Sequence, residues 1–358
     1  MLTLIVFIVI LGLLVFVHEL GHFLSAKKAG VKVEEFGFGF PPRLWGIKKG
    51  ETIYSVNLIP LGGFVKILGE DGEGENNPHS FANKKIGQRA KILIAGVAMN
   101  ILLGAVLLSL GYLIGLPEAI DDSQSVGAAK VQISFVGPGS PAEKAGLKIG
   151  DEILVISNGA QEAGNIFLVK TVQDFIAENK GQALTLKIKR GAEILSLSVV
   201  PRIEHPSDEG PMGVALARVA VVSYPWHQAL WQGIKSVGQL VWLILVFLGG
   251  FLWSLISQGK MVGEVMGPVG IFSITGQAAQ MGFVYLLQLT ALLSVNLAII
   301  NILPFPALDG GRLLFLLMEK IKGSPVSQKV EKVVHSAGFV FLILLMAVVT
   351  LRDVMKLF

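Results

Sequence analysis

The sequence predicts a multi-pass α-helical membrane protein that also carries a membrane-associated β-hairpin and an inserted, extracytoplasmic α+β domain. Three observations lead to this prediction. Hydrophobic residues make up 52% of the 358 residues and charged residues only 16%, below the roughly 25% charged residues of a soluble protein. Several apolar segments are long enough to cross a bilayer, which takes about 20 residues. The segment 123–202, in contrast, is rich in charges and has no long apolar run.

Two features of the composition exclude whole classes of site. The chain contains no cysteine, so disulfides, thiolate catalysis, Fe–S clusters and cysteine-based zinc sites are ruled out. Any metal must therefore be held by His, Asp or Glu. Lys and Arg outnumber Asp and Glu by 30 to 26, a net charge of +4, which is too small an excess to indicate nucleic-acid binding.

Four segments are predicted to span the membrane, namely residues 2–24, 92–114, 283–303 and 333–351. The first lacks the basic start and the small-residue cleavage site of a signal peptide. A fifth apolar stretch, residues 238–257, contains two adjacent glycines and lies among tryptophans. We interpret this stretch as an in-plane or re-entrant helix that does not cross.

The distribution of basic residues predicts the orientation, because Lys and Arg accumulate on the cytoplasmic side. Residues 25–91 and 319–332 hold clusters of Lys and Arg, whereas residues 116–129 hold none. We therefore place those two regions in the cytoplasm, and both termini and the 115–225 region outside. If residues 238–257 also crossed, the basic 319–332 loop would lie outside, which is why we predict that they do not.

A metal-binding motif lies in the first apolar segment, where the chain reads His18-Glu19-Leu20-Gly21-His22. Residues four apart share one face of a helix, so both imidazoles can reach one ion. Glu19 then stands beside the ion, where it can accept a proton from water. Ionisable groups at bilayer depth are costly and indicate function, which disfavours the alternative of two interfacial histidines without a ligand.

A catalytic zinc needs a third protein ligand. The extended motif with a third His is absent, because the position six residues after His22 is Lys28. Glu34 and Glu35 are possible ligands close in sequence. Asp309 is the stronger candidate, since it follows a Pro-interrupted apolar stretch, and broken backbone at membrane depth is tolerated only inside protein or around a wet cavity.

The pairing of H-E-x-x-H with N-x-x-P-x-P-x-L-D-G, the second motif starting at Asn301, resembles the site-2 protease family of intramembrane zinc metalloproteases. The likeness runs over nearly the whole chain and is greatest to the bacterial regulator-of-sigma-E type with a single PDZ domain. It implies that His18, His22 and Asp309 bind Zn²⁺ and that Glu19 is the catalytic base.

Further positions match the same family pattern. Gly96 and Asn100 match its G-x-x-x-N motif, although this spacing of small residues is common wherever membrane helices pack. Asn296 and Asn301 match asparagines that the family places near the substrate backbone. The resemblance therefore implies that these two asparagines bind substrate.

Residues 54–66 predict two short strands around a Pro/Gly turn. This stretch is too apolar for an ordinary surface hairpin and resembles the family's membrane-associated β-loop on the cytoplasmic side. Such a loop can offer a strand edge to an unwound substrate. We expect Gly62, Gly63, Phe64 and Val65 to provide that edge.

Residues 139–154 resemble the bacterial PDZ pattern G-S-P-A-x-x-A-G-L-x-x-G-D-x-I. A helix is predicted at 171–178 and strands at 183–188 and 194–199. Two roles stay open for this domain. It either binds a peptide ligand in a groove or acts as a steric gate against proteins with bulky external domains.

These assignments divide the chain into four regions. They are residues 1–114 with the first two membrane helices, the H-E-x-x-H motif and the β-loop; residues 125–203 with the PDZ domain; residues 204–282 with the non-crossing apolar helix; and residues 283–358 with the last two membrane helices and the L-D-G motif. The order places the two metal-binding motifs on opposite sides of the PDZ domain in sequence.

The favoured function is an intramembrane zinc endopeptidase of the bacterial inner membrane. Its substrates would be transmembrane segments of single-span proteins or their trimmed stubs, such as anti-sigma factors or remnant signal peptides, and the bilayer is its other partner. A zinc transporter would also place His and Asp in membrane helices, but it leaves Glu19 and the PDZ pattern unexplained. A non-catalytic PDZ receptor leaves the H-E-x-x-H motif unexplained.

Overall fold

A computed structural model of the chain describes residues 1–70, 77–123, 129–191, 193–206, 209–259 and 266–355. The chain forms two compact units. Unit 1 comprises Met1–Leu110, Leu230–Thr275 and Leu287–Phe358, and unit 2 comprises Gly111–Ala229 and Gly276–Leu286. The predicted extracytoplasmic end of the chain, residues 356–358, lies outside the described residues.

Five helices among the described residues are long and apolar enough to cross a membrane. They are α1 (Leu2–Lys28), α2 (Ile86–Ile114), α5 (Trp226–Gln258), α7 (Phe283–Ile302) and α9 (Gln328–Met355). The shorter helices are α3 (Pro141–Lys144), α4 (Val169–Glu178), α6 (Pro268–Met281) and α8 (Asp309–Lys322). Four spanning helices are predicted from the sequence, whereas five of the described helices qualify by length and composition.

The extra helix is α5, which contains the stretch predicted to lie in the membrane plane. The helix runs unbroken through Gly249 and Gly250, and large apolar side chains are exposed along it. An in-plane helix needs a strongly polar face, and residues 236–257 carry no charge. The lack of a charged face on α5 is therefore evidence against an in-plane helix, and the re-entrant alternative stays a prediction.

The orientation argument against a crossing by α5 depends on where the chain runs between α5 and α7. The chain leaves unit 2 after Ala229 and returns to it at Gly276. A Cβ on Gly150 would lie only 2.5 Å from Met281 Sδ, so the end of α6 packs within unit 2. If the chain also returns across the membrane between α5 and α7, a crossing by α5 leaves the orientation of α7 and α9 unchanged.

Strands β1 (Val33–Lys49) and β2 (Thr52–Ile67) form the β-structure of unit 1 and are joined by a two-residue turn at Gly50-Glu51. The prediction that residues 54–66 form a hairpin on their own is wrong. Phe36 of β1 is opposite Tyr54 and also opposite Val65. Since a strand has one neighbour on each side, the first part of β1 lies between the two halves of β2.

Unit 2 contains a sheet whose described strands run in the order β3-β9-β4-β5-β7-β8, with β6 paired to β5. These strands are β3 (Leu116–Ile120), β4 (Lys130–Val136), β5 (Glu152–Ser157), β6 (Glu162–Gly164), β7 (Leu184–Arg190), β8 (Glu193–Val199) and β9 (Val214–Val222). Aliphatic side chains of the sheet, with Val172 and Ile176 of α4, form its core. The helix and the two strands predicted in this region are present as α4, β7 and β8.

The sheet of unit 2 extends beyond residues 125–203, the bounds predicted for the PDZ domain. Strands β3 and β9 belong to the same sheet but lie before and after residues 125–203. Residue 125 itself lies outside the described residues. Leu116 and Val222 are opposite each other in the β3–β9 ladder, so the chain enters and leaves the sheet at neighbouring points.

Candidate metal centre

Three side chains of unit 1 meet at one point, as the motifs predict. His18 Nε2 and His22 Nε2 lie 3.0 Å apart, one helical turn from each other on α1. Asp309 Oδ2 is 3.1 Å from His18 Nε2 and 3.3 Å from His22 Nε2. Both imidazoles are buried. A residue 287 positions downstream of His22 thus completes a cluster that α1 begins.

The spacing of these atoms fits a tetrahedral metal ion. Ligand atoms held about 2.0–2.1 Å from one tetrahedral ion lie roughly 3.3 Å apart, and the three observed separations are 3.0, 3.1 and 3.3 Å. Two imidazole nitrogens and a carboxylate oxygen that converge in this way repel one another unless a cation or a proton lies between them. In the described part of the chain, this is the cluster of His, Asp and Glu side chains with metal-ligand spacing.

The backbone of α2 fixes the orientation of the second imidazole. His22 Nδ1 lies 2.8 Å from the carbonyl oxygen of Ile92. Nδ1 therefore carries the proton and donates it to that oxygen, which leaves the Nε2 lone pair pointing at the cluster. A second hydrogen bond of this kind is the usual support of a metal-binding histidine.

Close packing between α1 and α2 depends on two glycines. A Cβ on Gly96 would lie 2.4 Å from His22 Nε2 and 2.8 Å from His18 Cε1, and one on Gly21 would lie 2.3 Å from the Ala95 carbonyl oxygen. Gly96 therefore forms the wall behind both imidazoles. The G-x-x-x-N match in the sequence corresponds at this position to a direct steric requirement of the site.

Asp309 reaches the cluster because α7 ends and the chain turns before α8. Ala307 has a φ of 75°, a left-handed conformation that costs a non-glycine residue energy. Its N–H donates to His335 Nδ1 over 2.9 Å. Gly310 and Gly311 pack against the carbonyl oxygens of this turn, where a Cβ would clash at 2.1–2.3 Å. Asp309 is consequently the first residue of α8.

Two ion pairs hold α8 against the rest of unit 1, and sequence reasoning did not identify them. Arg312 pairs with Glu70, just after β2, and Glu319 pairs with Arg89 of α2. The four charges are largely shielded from solvent. The sequence signal that could have indicated these ion pairs is the presence of Arg312 and Glu319 in an otherwise apolar helix.

Glu19 points toward β2 rather than toward the three clustered side chains. Its Oε2 accepts a hydrogen bond of 3.1 Å from the backbone N–H of Val65. The strand runs along α1, since a Cβ on Gly62 would lie 2.9 Å from Val15 and one on Gly63 would lie 4.0 Å from Glu19 Cγ. The predicted strand segment 62–65 thus lies directly beside Glu19.

The two predicted asparagines occupy different positions on α7. Asn301 Nδ2 lies 3.4 Å from His18 Nε2, at the cluster. Asn296 is half-buried and five residues earlier, which rotates it about 140° round the helix from Asn301. The two amides therefore face different surroundings, and the substrate contact of Asn296 stays a prediction.

The alternative third ligands are engaged elsewhere. Glu34 forms an ion pair of 2.9 Å with Lys66. Glu35 accepts hydrogen bonds from Arg43 at 2.5 Å and from Ser55 Oγ at 2.6 Å. Both carboxylates thus serve the β1–β2 sheet, and neither joins the cluster of His18, His22 and Asp309.

Comparisons with known proteins place the chain in one family. Residues 6–345 match the model of peptidase family M50. The chain is 33% identical to zinc metalloprotease RasP of Geobacillus kaustophilus, over 99% of this chain and 98% of that protein. It is 31% identical to regulator of sigma-W protease RasP of Bacillus subtilis, over 99% of each. It is 30% identical to regulator of sigma-E protease RseP of Escherichia coli, over 98% of each.

The match covers nearly the whole chain and includes both stretches that supply the cluster. Proteins of this similarity are named zinc metalloproteases, and the chain has the apolar helices of a membrane protein. The chain therefore belongs to peptidase family M50, the site-2 protease family, and is a zinc-dependent membrane metalloprotease.

Proposed function

We propose that the chain hydrolyses peptide bonds within transmembrane segments of single-span membrane proteins or of their trimmed stubs. The observation that carries this proposal is the meeting of His18, His22 and Asp309 within 3.3 Å of one another on helices that qualify as membrane spans or adjoin one. Anti-sigma factors and remnant signal peptides are the substrate classes we propose. The first class is suggested by relatives that are named regulators of sigma-W and sigma-E.

His18, His22 and Asp309 are the proposed zinc ligands. Zinc, when bound, supplies a Lewis acid that polarises the scissile carbonyl and increases the acidity of water. Glu19 is the proposed general base, which accepts the proton of the attacking water and then donates it to the leaving amine. His22 is supported in its role by the Ile92 carbonyl oxygen, which holds its proton on Nδ1.

The strand segment 62–65 is the proposed substrate-binding edge. Val65 is opposite Phe36, yet its N–H turns away from β1 to Glu19. Alternate residues of a strand direct their backbone N–H and C=O groups to the same edge. The backbone groups of Gly63 therefore point to the same edge as the N–H of Val65, the edge away from β1. An unwound substrate segment added there would lie beside Glu19 and the cluster, held by main-chain hydrogen bonds. Asn301, whose Nδ2 lies 3.4 Å from His18 Nε2, is proposed to bind the substrate backbone as well.

This arrangement gives Glu19 two successive partners. A substrate carbonyl that accepts the Val65 N–H displaces the Glu19 carboxylate from it. The freed carboxylate can then accept a proton from water. Substrate binding and release of the base would thus be one event, which limits hydrolysis to segments that have been drawn out into strand form.

Unit 2 is proposed to contain a PDZ domain, which either binds a peptide in a groove or acts as a gate that restricts access to the membrane-embedded site. Its G-S-P-A segment is capped by Ser140 Oγ, which accepts the N–H of Glu143. Asp151 of the G-D pair is fully buried, and its two carboxylate oxygens each accept a 2.7 Å hydrogen bond from Arg190. These contacts support a stable, independently packed domain of the kind that the motif indicates. We propose further that this domain and both termini lie outside the bacterial inner membrane.

The gate hypothesis and the groove hypothesis predict different cleavage when most of unit 2 is removed. Leu116 and Val222 are opposite each other in the β3–β9 ladder, so a short Gly-Ser linker can replace residues 117–221. A gate predicts that the shortened chain also cuts substrates with intact external domains. A required groove predicts that it no longer cuts trimmed stubs, while its zinc content is unchanged.

The substitution Glu19→Gln separates the enzyme from the two other functions considered. A protease loses turnover and keeps its metal, because the amide cannot accept the proton. A zinc transporter keeps zinc flux into vesicles, since Glu19 is not one of the three clustered side chains. A receptor shows no cleavage by the unaltered chain. Cleavage and zinc flux measured on the same reconstituted samples decide among the three.

A further inference from the structure

Helix α8 has an exposed apolar face that the proteolytic site does not use. The stripe consists of Leu314, Leu317, Met318 and Ile321, which are 42%, 52%, 47% and 79% exposed. Their spacing of three, four and seven residues places them on one side of the helix. We refer to these four side chains as the α8 stripe.

The amphipathicity of α8 is the reverse of that of a helix on a water-soluble protein. Arg312 and Glu319 lie about 140–160° round the helix from Leu314, and both turn inward to ion pairs with Glu70 and Arg89. A helix that faces water keeps its charges outside and its apolar residues inside. Charges inside and an apolar stripe outside indicate that the outer surroundings of α8 are themselves apolar.

Two lysines border the stripe. Lys320 and Lys322 are exposed and lie about 80–120° from Leu314, one on each side. Long basic side chains at such borders keep their ammonium groups in the polar layer while the neighbouring residues are in hydrocarbon. The charge of this pair is complementary to an anionic headgroup.

The position of α8 in the chain identifies the occupant as the bilayer. Residues 303–308 separate it from α7, and residues 323–327 separate it from α9, and both neighbours qualify as membrane spans. With 14 residues, α8 extends about 21 Å and is too short to cross. A short helix between two spans, with an apolar outer stripe and basic borders, fits the plane of the interface.

We propose that α8 lies in the membrane interface, with the α8 stripe in the acyl boundary and with Lys320 and Lys322 bound to anionic lipid headgroups. The proposal is independent of the proteolytic activity. Because α8 begins at Asp309, the same lipid contact seats the helix that carries this carboxylate.

The absence of cysteine from the sequence permits a direct test with single spin labels on the full chain in vesicles of phosphatidylcholine and phosphatidylglycerol. Leu314→Cys, Leu317→Cys and Ile321→Cys report on the stripe, and Lys320→Cys and Lys322→Cys on its borders. We expect stripe labels to collide with oxygen more than with a water-soluble nickel complex, and border labels to show the opposite. Equal nickel access at stripe and border, or protection of the stripe from both reagents, would overturn the proposal.

A second measurement tests the headgroup. A fluorescent label at Leu317→Cys is quenched with brominated phosphatidylglycerol and with brominated phosphatidylcholine, and the ratio of the two gives the lipid preference. Lys320→Gln with Lys322→Gln should lower the preference for phosphatidylglycerol by roughly fivefold for each lysine. The control, Lys144→Gln with Lys180→Gln, removes the same charge from exposed positions of unit 2 and should leave it unchanged. An unaltered preference in the α8 variant would contradict headgroup binding.

Discussion

The backbone N–H of Val65 donates a hydrogen bond of 3.1 Å to Glu19 Oε2, and so joins the open edge of β2 directly to the proposed catalytic base. The contact connects two stretches of chain that are 46 residues apart. It means that any segment adding to this edge must compete with Glu19 for the same donor.

Val65→Pro is expected to slow the cleavage of all substrates alike, because proline has no N–H to donate. Loss of one such hydrogen bond corresponds to a rate reduction of roughly tenfold. Initial rates on two substrates of unrelated sequence measure the effect, with zinc content as a check on the fold. Val65→Ile keeps the donor and should retain activity. An isoleucine variant as slow as the proline variant would contradict the assignment of the effect to the N–H.

Gly96→Ala is expected to weaken zinc binding by at least roughly tenfold, as loss of a ligand's support does. The new Cβ would lie 2.4 Å from His22 Nε2, so the imidazole must move away from the cluster. Gly87→Ala is the matched control on the same helix, since no atom lies within 4 Å of its added Cβ. Zinc titration of both purified variants makes the comparison. Equal affinities would show that α2 does not form the wall of the site.

Asp309→Ala is expected to abolish stoichiometric zinc binding, because two imidazoles alone leave a zinc site incomplete. Glu35→Gln should keep one zinc per chain, since Glu35 is engaged by Arg43 and Ser55. Metal analysis of the purified proteins gives both numbers. If the Glu35 variant lost zinc and the Asp309 variant kept it, the ligand assignment would have to be exchanged.

Topology reporters are expected to show that α5 crosses the membrane and that the chain returns before α7 begins. Fusions after Lys28, Gly150 and Lys322 should read inside, outside and inside, in line with the Lys and Arg clusters. The informative position is Gly259, directly after α5, where we expect an inside signal. An outside signal at Gly259, with the other three as expected, would restore the in-plane interpretation.

The parts of the site that were predictable from sequence are those that depend on local geometry. His18 and His22 meet because four residues make about one helical turn, and this follows from their spacing alone. Nothing local joins Asp309 to them, and only the resemblance of the second motif to a known family indicated the pairing. The Ile92 carbonyl oxygen that orients His22 is a backbone group, which no residue type reveals.

Two features of the fold lay beyond the pattern of any single segment. Residues 54–66 contain the features of a hairpin, but Phe36, from an earlier stretch, lies between the two halves. Likewise, the orientation argument against a crossing by α5 did not consider the stretch between α5 and α7, where Met281 of α6 packs on Gly150. Both contacts join distant residues, and the pattern of one segment cannot predict them.

Cleavage by the Glu19→Gln variant, with zinc content determined on the same sample, tests the central claim most directly. The full chain in vesicles is given a single-span substrate whose cut ends are identified by mass spectrometry. The account predicts that the unaltered chain cuts within the transmembrane segment only when zinc is present. It also predicts that Glu19→Gln binds one zinc and loses cleavage by a factor of at least about 100. A zinc-loaded Glu19→Gln variant that cuts at the unaltered rate would contradict the assignment of Glu19 as the base and of this cluster as the site of hydrolysis.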